Sequence, residues 1–372
     1  MKIISRYLFR EIFHFFWLFL CFFTVALLVY ELYDERGEFL EHEAALLDVV
    51  LYLIFTIPFK LAEVFPLIGL LSTIFAYGML AKNREILAMV AAGVSYATLA
   101  LPALVFGLGL TVFTFFFNEE IVPRSEKHAE HLIKVVIAGQ SETRHAKRKN
   151  LIVKGRDNSF YAMERYYSLD RRMEFPTIFM VSEDGSHVME RIDAQTGRFV
   201  QSEGDDEVVC EFQGAERWTF DDDGTQRSYD AIHVPYRIPM EHKLPEFLSR
   251  SKDPEKMNYK ELSHYTRLLE EKGGEKVAEY GTSLHKKLAF PVVCTLMVLL
   301  GFSVATDVHA RRFSRGVSLG LLVAIGFYVL SGFFVNLGNE GVLAPAAAGW
   351  APVMLFMLVV YLLITRLNYV RG

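Results

Sequence analysis

Residues 12–30 read IFHFFWLFLCFFTVALLVY, nineteen positions without a formal charge. A bilayer core about 30 Å thick is crossed by about 20 apolar residues rising ~1.5 Å each as a helix. The stretch is therefore long enough to span. It exceeds the apolar run of a cleavable signal peptide, about 7–15 residues, and acidic residues rather than a small-x-small site follow it. It is expected to stay as an anchor. Working outward, residues 96–117, 288–305, 317–335 and 346–365 have the same character, with Gly107, Gly109, Gly301, Gly326 and Pro352 tolerated as membrane helices tolerate them.

The remaining apolar stretch, 44–80, carries Asp48, Lys60 and Glu63 together with Pro58 and Pro66. Its thirty-seven residues are too few for two spans and a turn. It reads as an interfacial amphipathic segment over 46–64, with Lys60 snorkelling to the headgroups, followed by a span over 65–81. The total is six spans. Lys and Arg in the short flanks orient them: Lys2, Arg6, Arg10, Lys82, Arg84, Arg311, Arg312, Arg315, Arg366 and Arg371 fall on one side, Arg36 alone on the other. Both termini are expected in the cytoplasm. The loop after the first span is acidic on the outer side, with Glu31, Asp34, Glu35, Glu38, Glu41 and Glu43.

Hydrophobic residues make up 52% and charged residues 22%, averages that combine apolar ends with a polar middle. Abundant Phe, 31 residues, excludes general disorder, and three scattered Cys exclude a disulfide scaffold. A net charge of −5 gives no reason to expect nucleic acid. By parity, residues 118–284 lie outside the cytoplasm. They open on a helical stretch, 124–139, and close on another, 259–272. Between them, short strands are expected at 151–154, 160–165, 177–181, 188–194, 198–201, 208–212, 216–220 and 231–234. Turn signals such as Glu183-Asp184-Gly185, Gln195-Thr196-Gly197 and Asp222-Asp223-Gly224 separate them. Regular short strands argue a β-sandwich or jelly-roll. The fold class is an α-helical membrane protein with six transmembrane helices, three plus three, and an inserted periplasmic all-β jelly-roll-like domain. Its parts are 1–117, 118–284 and 285–372.

Enzyme chemistry finds little support. There is no G-x-x-x-x-G-K-[ST], so ATP hydrolysis is not expected on this chain, and there is no H-E-x-x-H. His128 and His131, three apart, read as a solvated helix face rather than a metal pair. Asp221-Asp222-Asp223-Gly224 lacks the closing Glu of a calcium loop and reads as a hairpin turn. Gly316-Val317-Ser318-Leu319-Gly320 fits G-x-S-x-G, but it follows a basic loop and opens a membrane helix. Small residues at a helix interface explain it better than a nucleophile elbow. No catalytic residue and no metal ligand is assigned. Residues 83–95 have a polar start, an apolar face of Ile86, Met89 and Val90, and a glycine stop at Gly93. A short helix of this kind at the membrane surface suits docking into a partner's groove.

The chain resembles the LptF/LptG lipopolysaccharide-export permeases, the YjgP/YjgQ type, over nearly its whole length. The resemblance rests on Ile4-Ser5-Arg6-Tyr7-Leu8-Phe9-Arg10-Glu11, on Phe65-Pro66-Leu67 leading to Gly78-Met79-Leu80-Ala81, and on Arg84-Glu85 with Ala91-Ala92-Gly93. It extends to Val122-Pro123, to Ser159-Phe160-Tyr161 with Glu164-Arg165, and to Lys287-Leu288-Ala289-Phe290-Pro291. The opening is more like LptF and the loop after the second span more like LptG.

The family implies a permease subunit of an ABC exporter in the inner membrane, paired with a second such permease. A cytoplasmic ABC ATPase dimer would supply ATP and Mg, with no cofactor in this chain. Lipopolysaccharide or a related lipid would pass between the permeases to the periplasmic jelly-roll and on to a bridge of similar folds. Carried onto this sequence, Asn83, Arg84, Glu85, Ile86, Met89 and Val90 would dock the ATPase. Val25, Leu28, Tyr33 and Arg36 of the first span, with Tyr328, Phe333 and Phe334 of the fifth, would line lipid entry. Ile152, Phe160, Tyr161, Ile178, Met180 and Ile192 would face the acyl chains inside the β domain. Relatives of the LptG kind place lysines at the outer end of the first span, where this chain has Glu31-Leu32-Tyr33-Asp34-Glu35-Arg36. The acidic loop would meet lipid phosphates only through shared divalent cations. Two other classes fit parts of the pattern: an envelope scaffold whose β domain binds protein, and an intramembrane hydrolase built on Ser318.

Overall fold

The computed structural model describes residues 2–42, 44–137, 147–154, 159–167, 171–182, 187–201, 208–221, 223, 225–232, 236–240, 253–272, 276–306 and 313–369. They form two compact units. One is helical and comprises 1–133, 254–262 and 278–372; the other comprises 134–253 and 263–277. The sequence reading places the domain limits at 118 and 284, whereas the helical unit runs on to Ile133 and resumes at Pro254.

The helical unit contains α1 (Lys2–Asp34), α2 (Arg36–Glu41), α3 (Leu46–Lys82), α4 (Glu85–Ala91), α5 (Tyr96–Phe116) and α6 (Val122–His131). Later in the chain come α7 (Tyr259–Lys272), which from Ser263 onward belongs to the other unit, and then α8 (Val277–Ala305), α9 (Phe313–Asn339) and α10 (Pro345–Tyr369). Among the described residues six helices are long and apolar enough to cross a membrane, as the sequence predicts.

The second of them corrects the reading of 44–80. Instead of an interfacial segment and a separate span, α3 is one helix of 37 residues that carries both Pro58 and Pro66. At ~1.5 Å per residue it is about 55 Å long, so its first half projects beyond a 30 Å core. The charges that suggest an interfacial segment lie on that projecting half and at its boundary. Each proline removes one backbone donor, and helix packing tolerates the gap in membrane proteins.

Close contacts fix the bundle. A Cβ added at Gly301 of α8 would lie 2.8 Å from the Leu70 carbonyl oxygen of α3, and one at Gly107 would lie 3.0 Å from the Thr295 Cα. Gly109 and Gly326 face open space. Thr111 Oγ1 bonds the Pro291 carbonyl at 2.9 Å and Thr295 Oγ1 at 2.7 Å, which ties α5 to α8. The G-x-S-x-G segment lies inside α9 rather than on an elbow: Ser318 is exposed, and a Cβ at Gly320 would meet Ile74 at 2.5 Å. Gly320 is a helix-packing glycine.

Among the described residues the β unit holds nine strands, all paired antiparallel: β1 (Lys147–Lys154), β2 (Ser159–Tyr167), β3 (Arg172–Val181), β4 (Val188–Asp193), β5 (Thr196–Gln201), β6 (Val208–Gln213), β7 (Ala215–Phe220), β8 (Gln226–Ile232) and β9 (Tyr236–Met240). One edge of β3 pairs along its length with β2. The other edge is shared: 177–181 pair with β4 and 172–174 with β5. Phe175, at φ +51°, and Pro176 mark the change of partner, where Phe175 N–H donates to the Gln195 carbonyl at 3.0 Å. From there one wing runs β4-β7-β8 and the other β5-β6-β9. Both wings contribute to one apolar core, with Ile192 and Ala215 from the first and Phe199, Phe212 and Ile238 from the second.

Two expectations change here. Thr196 and Gly197 begin β5 instead of forming a turn, and β9 is a strand despite Pro239. The Asp221–Thr225 turn is a hairpin, closed by Asp221 N–H to the Thr225 carbonyl at 3.0 Å and by Thr225 Oγ1 on Asp223 Oδ1 at 2.6 Å.

Candidate functional site

Three parts of the chain carry the functional expectations. The first is α4, between α3 and α5. Its end is a Schellman motif: Gly93 N–H bonds the Val90 carbonyl at 2.9 Å and Val94 N–H the Met89 carbonyl at 3.0 Å, with Gly93 at φ +87°. Its start turns through Arg84, left-handed at φ +62°. Ser95 then caps α5, accepting from Thr98 N–H at 3.3 Å. The helix thus has a defined stop, while its start carries no side-chain cap.

The expected docking face is only partly available. Ile86 is buried, and Met89 and Val90 pack on the chain's own core beside Leu8 and Ile12. The outward face instead presents Asn83, Arg84, Leu87, Ala88 and Ala91, with Leu87 62% exposed. The apolar period of a short helix does not say which side its own protein occupies, so the sequence points to Ile86 where the structure exposes Leu87. Glu85 lies between the two faces. Its carboxylate accepts from the Tyr7 hydroxyl at 3.0 Å and from Asn83 Nδ2 at 3.3 Å.

The second part is the far end of α1. Glu31 is 3% exposed rather than part of a solvated acidic loop. The Tyr52 hydroxyl donates to its Oε1 at 2.9 Å, and Lys60 Nζ lies 3.5 Å from its Oε2. Lys60 is thus a counter-charge within the chain rather than a free snorkelling cation. Arg36 donates to the Tyr33 carbonyl at 3.1 Å and stacks over the Tyr33 ring at 3.8 Å. Among the described residues no group of three His, Cys, Asp or Glu side chains converges on one point. Burial, then the carboxylates of Glu31, Asp34 and Glu38, raise the Glu35 carboxyl above the usual range. His128 stacks on Phe55 at 5.0 Å and bonds the Arg124 carbonyl at 2.7 Å.

Along α1, Leu18, Phe22, Val25, Val29 and Tyr33 form an exposed apolar stripe at helical spacing. On α9, Leu322, Ile325, Val329 and Phe333 form another. Val25, Tyr33 and Phe333 of the expected lipid path lie on these stripes. Leu28 and Phe334 are half-buried. Tyr328, one residue off the stripe, turns inward and donates to the Glu63 carbonyl at 3.0 Å.

The third part is the inner face of the β unit. Register aligns Tyr161 with Ile178 and Ile178 with Ile192, and all three lie in the core. Met180 shares that face at the strand end and is half-buried. Phe160 belongs to the opposite face, paired with Phe179, because adjacent strand residues point to opposite sides. Ile152 pairs with Ala162 in the backbone register, and its side chain lies outside the described residues. The opposite face is charged: Arg165 and Glu174 are bonded at 3.0 Å, and Arg191 and Asp193 at 2.7 Å. Arg165 holds the Glu174 carboxyl below its usual range.

The family model described as lipopolysaccharide export system permease LptF/LptG matches residues 6–366, a range that takes in the long apolar helices, the β unit between the third and fourth of them, and α4 after the second. The chain belongs to the LptF/LptG family. It is similar to the lipopolysaccharide export system permease protein LptG of Haemophilus influenzae, at 24% identity over 338 residues, covering 86% of each chain. As an LptF/LptG permease it is a multi-pass inner-membrane component of the lipopolysaccharide export system, a transport subunit rather than an enzyme.

Proposed function

We propose that this LptF/LptG chain is one of two permeases in an ABC exporter that lifts lipopolysaccharide from the inner membrane and passes it, through its periplasmic jelly-roll, to a bridge protein. The observation that carries the reading is the family match from residue 6 to residue 366 on a six-span architecture. ATP is hydrolysed on a separate ATPase dimer, which docks on the outward face of α4 through Arg84, Leu87 and Ala88, with Glu85 reaching a basic groove residue. The stripes on α1 and α9 face the second permease and the entering lipid. Large apolar side chains there meet acyl chains with little polar desolvation.

The orientation is tested by cysteine labelling in intact cells on a Cys21→Ser background, since Cys210 and Cys294 are buried. A membrane-impermeant maleimide is expected to modify Ser228→Cys on exposed β8 and to spare Ala88→Cys on α4. Reversed labelling would overturn the topology.

The path through the β unit is tested by a photo-crosslinker at Met180, which opens at the end of the apolar face. It is expected to trap lipopolysaccharide only when ATP is supplied to the assembled exporter. Protein adducts alone, equal with and without ATP, would support the scaffold reading instead.

A further inference from the structure

We propose that the helical unit holds a resident phospholipid with an ethanolamine-phosphate headgroup, seated in the cleft between α3, α8 and α9. The reading rests on the helical unit alone and stands whether or not the chain exports lipid.

The cleft has a volume of about 280 Å³. Its depth in the bilayer follows from two independent counts. On α3, Glu63 lies nineteen residues before the last residue, Lys82; on α8, Lys286 lies nineteen residues before the last residue, Ala305. At ~1.5 Å per residue both are about 28 Å from the α4 side, which is the thickness of the hydrocarbon core. The cleft therefore lies at the headgroup level of the leaflet away from α4.

Two prolines furnish it with acceptors. Pro66 and Pro291 stand inside α3 and α8, and proline has no N–H to give the carbonyl four residues before it. Those carbonyls belong to Ala62 and Lys287, and both residues line the cleft.

The four charged side chains that line the cleft balance, while Lys60 acts on Glu63, and Glu119 and Glu261 on Lys287, from beyond the lining. Lys286 Nζ bonds Glu255 Oε1 at 2.7 Å, and Lys287 Nζ donates to the Met257 carbonyl. Each ammonium has three donors and so keeps capacity for a ligand oxygen. Glu63 is the fourth charge; the described residues give its carboxylate no hydrogen-bond donor, and only its backbone carbonyl is used, by Tyr328 at 3.0 Å. Two ammoniums and two carboxylates match a zwitterion, whereas a ligand with net charge would leave an uncompensated charge in a half-desolvated site.

A phosphodiester takes the spare lysine donors. A primary ammonium, with three N–H groups, satisfies Glu63 and the freed Ala62 carbonyl. A trimethylammonium has no N–H and cannot do so, which makes choline the discriminating comparison. Phe59 and Phe290, on opposite walls, offer apolar contact to the first carbons of an acyl chain. The volume suits a headgroup with its glycerol, the acyl chains lying outside the cleft.

The test uses the full-length chain in nanodiscs of phosphatidylethanolamine, phosphatidylcholine and phosphatidylglycerol in equal parts. It is then released into detergent, and retained lipid is read by native mass spectrometry. One phosphatidylethanolamine per chain is expected, at about tenfold preference over phosphatidylcholine, the factor that one charge-assisted hydrogen bond supplies. Glu63→Gln is expected to remove that preference, and Lys286→Gln to lower retention of both lipids. Equal retention of the two in the wild-type chain would overturn the proposal, as would a preference that survives Glu63→Gln. Displacement of the phospholipid by equimolar lipopolysaccharide would also overturn it, since the cleft would then belong to the exported lipid.

Discussion

Replacing Glu85 by Lys is expected to abolish lipopolysaccharide export while the chain still folds and inserts. The carboxylate receives hydrogen bonds from Tyr7 on α1 and Asn83 at the turn before α4. It is therefore pre-oriented beside the outward face formed by Arg84, Leu87 and Ala88. An ammonium there places like charge against the basic groove residue assigned to the ATPase, and like-charge contact at an interface costs several kcal/mol. At ~1.4 kcal/mol per tenfold, a loss of three kcal/mol is about a hundredfold in docking affinity. The fold is spared because Ile86, not Glu85, supplies the buried contact of α4. The check is complementation of a strain depleted of the native permease, with membrane level measured by immunoblot. Normal growth at normal protein level would remove the docking role. Tyr7→Phe is the milder comparison: the negative charge stays and only one hydrogen bond is lost, so export should fall by less than tenfold.

The second large effect is on stability and concerns the pair at the far end of α1. Lys60→Met leaves the Glu31 carboxylate, 3% exposed, without its counter-charge at 3.5 Å. Removing one partner of a fully buried pair costs about 3–5 kcal/mol, and the partial exposure of Lys60 reduces that to about 2–3 kcal/mol. The thermal midpoint in detergent should fall by several degrees. Adding Glu31→Gln to Lys60→Met should recover most of the loss, because an amide can still accept from the Tyr52 hydroxyl and needs no counter-ion. A single variant as stable as the wild-type chain would show that the pair is solvated and makes no net contribution.

These two sites also show what the amino-acid sequence discloses and what it conceals. The six spans follow from apolar length, and Gly93 as the stop of α4 follows from its left-handed conformation. Both are local properties. The continuity of α3 is not, because Lys60 finds its partner on another helix, twenty-nine positions earlier in the chain at Glu31. Without that partner, Lys60 between Pro58 and Pro66 reads as an interruption. In the β unit, Tyr161, Ile178 and Ile192 were legible as one face, while Phe160 was assigned against the two-residue period that separates it from Tyr161. Strand β9 was missed because Pro239 weakens its pattern, although it finds a place beside β6. The inward turn of Tyr328, and with it the cleft beside Glu63, depends on packing between α3 and α9 that no local pattern records.

The central claim is that this LptF/LptG chain works as a permease driven by a separate ATPase, and affinity purification of the full-length chain from native membranes tests it most directly. A cytoplasmic ATPase with a Walker A motif and a second LptF/LptG permease are expected to co-purify in a fixed ratio, and Glu85→Lys is expected to lose the ATPase while keeping the second permease. Recovery of the chain with periplasmic proteins alone, and no ATPase in wild type or variant, would contradict it.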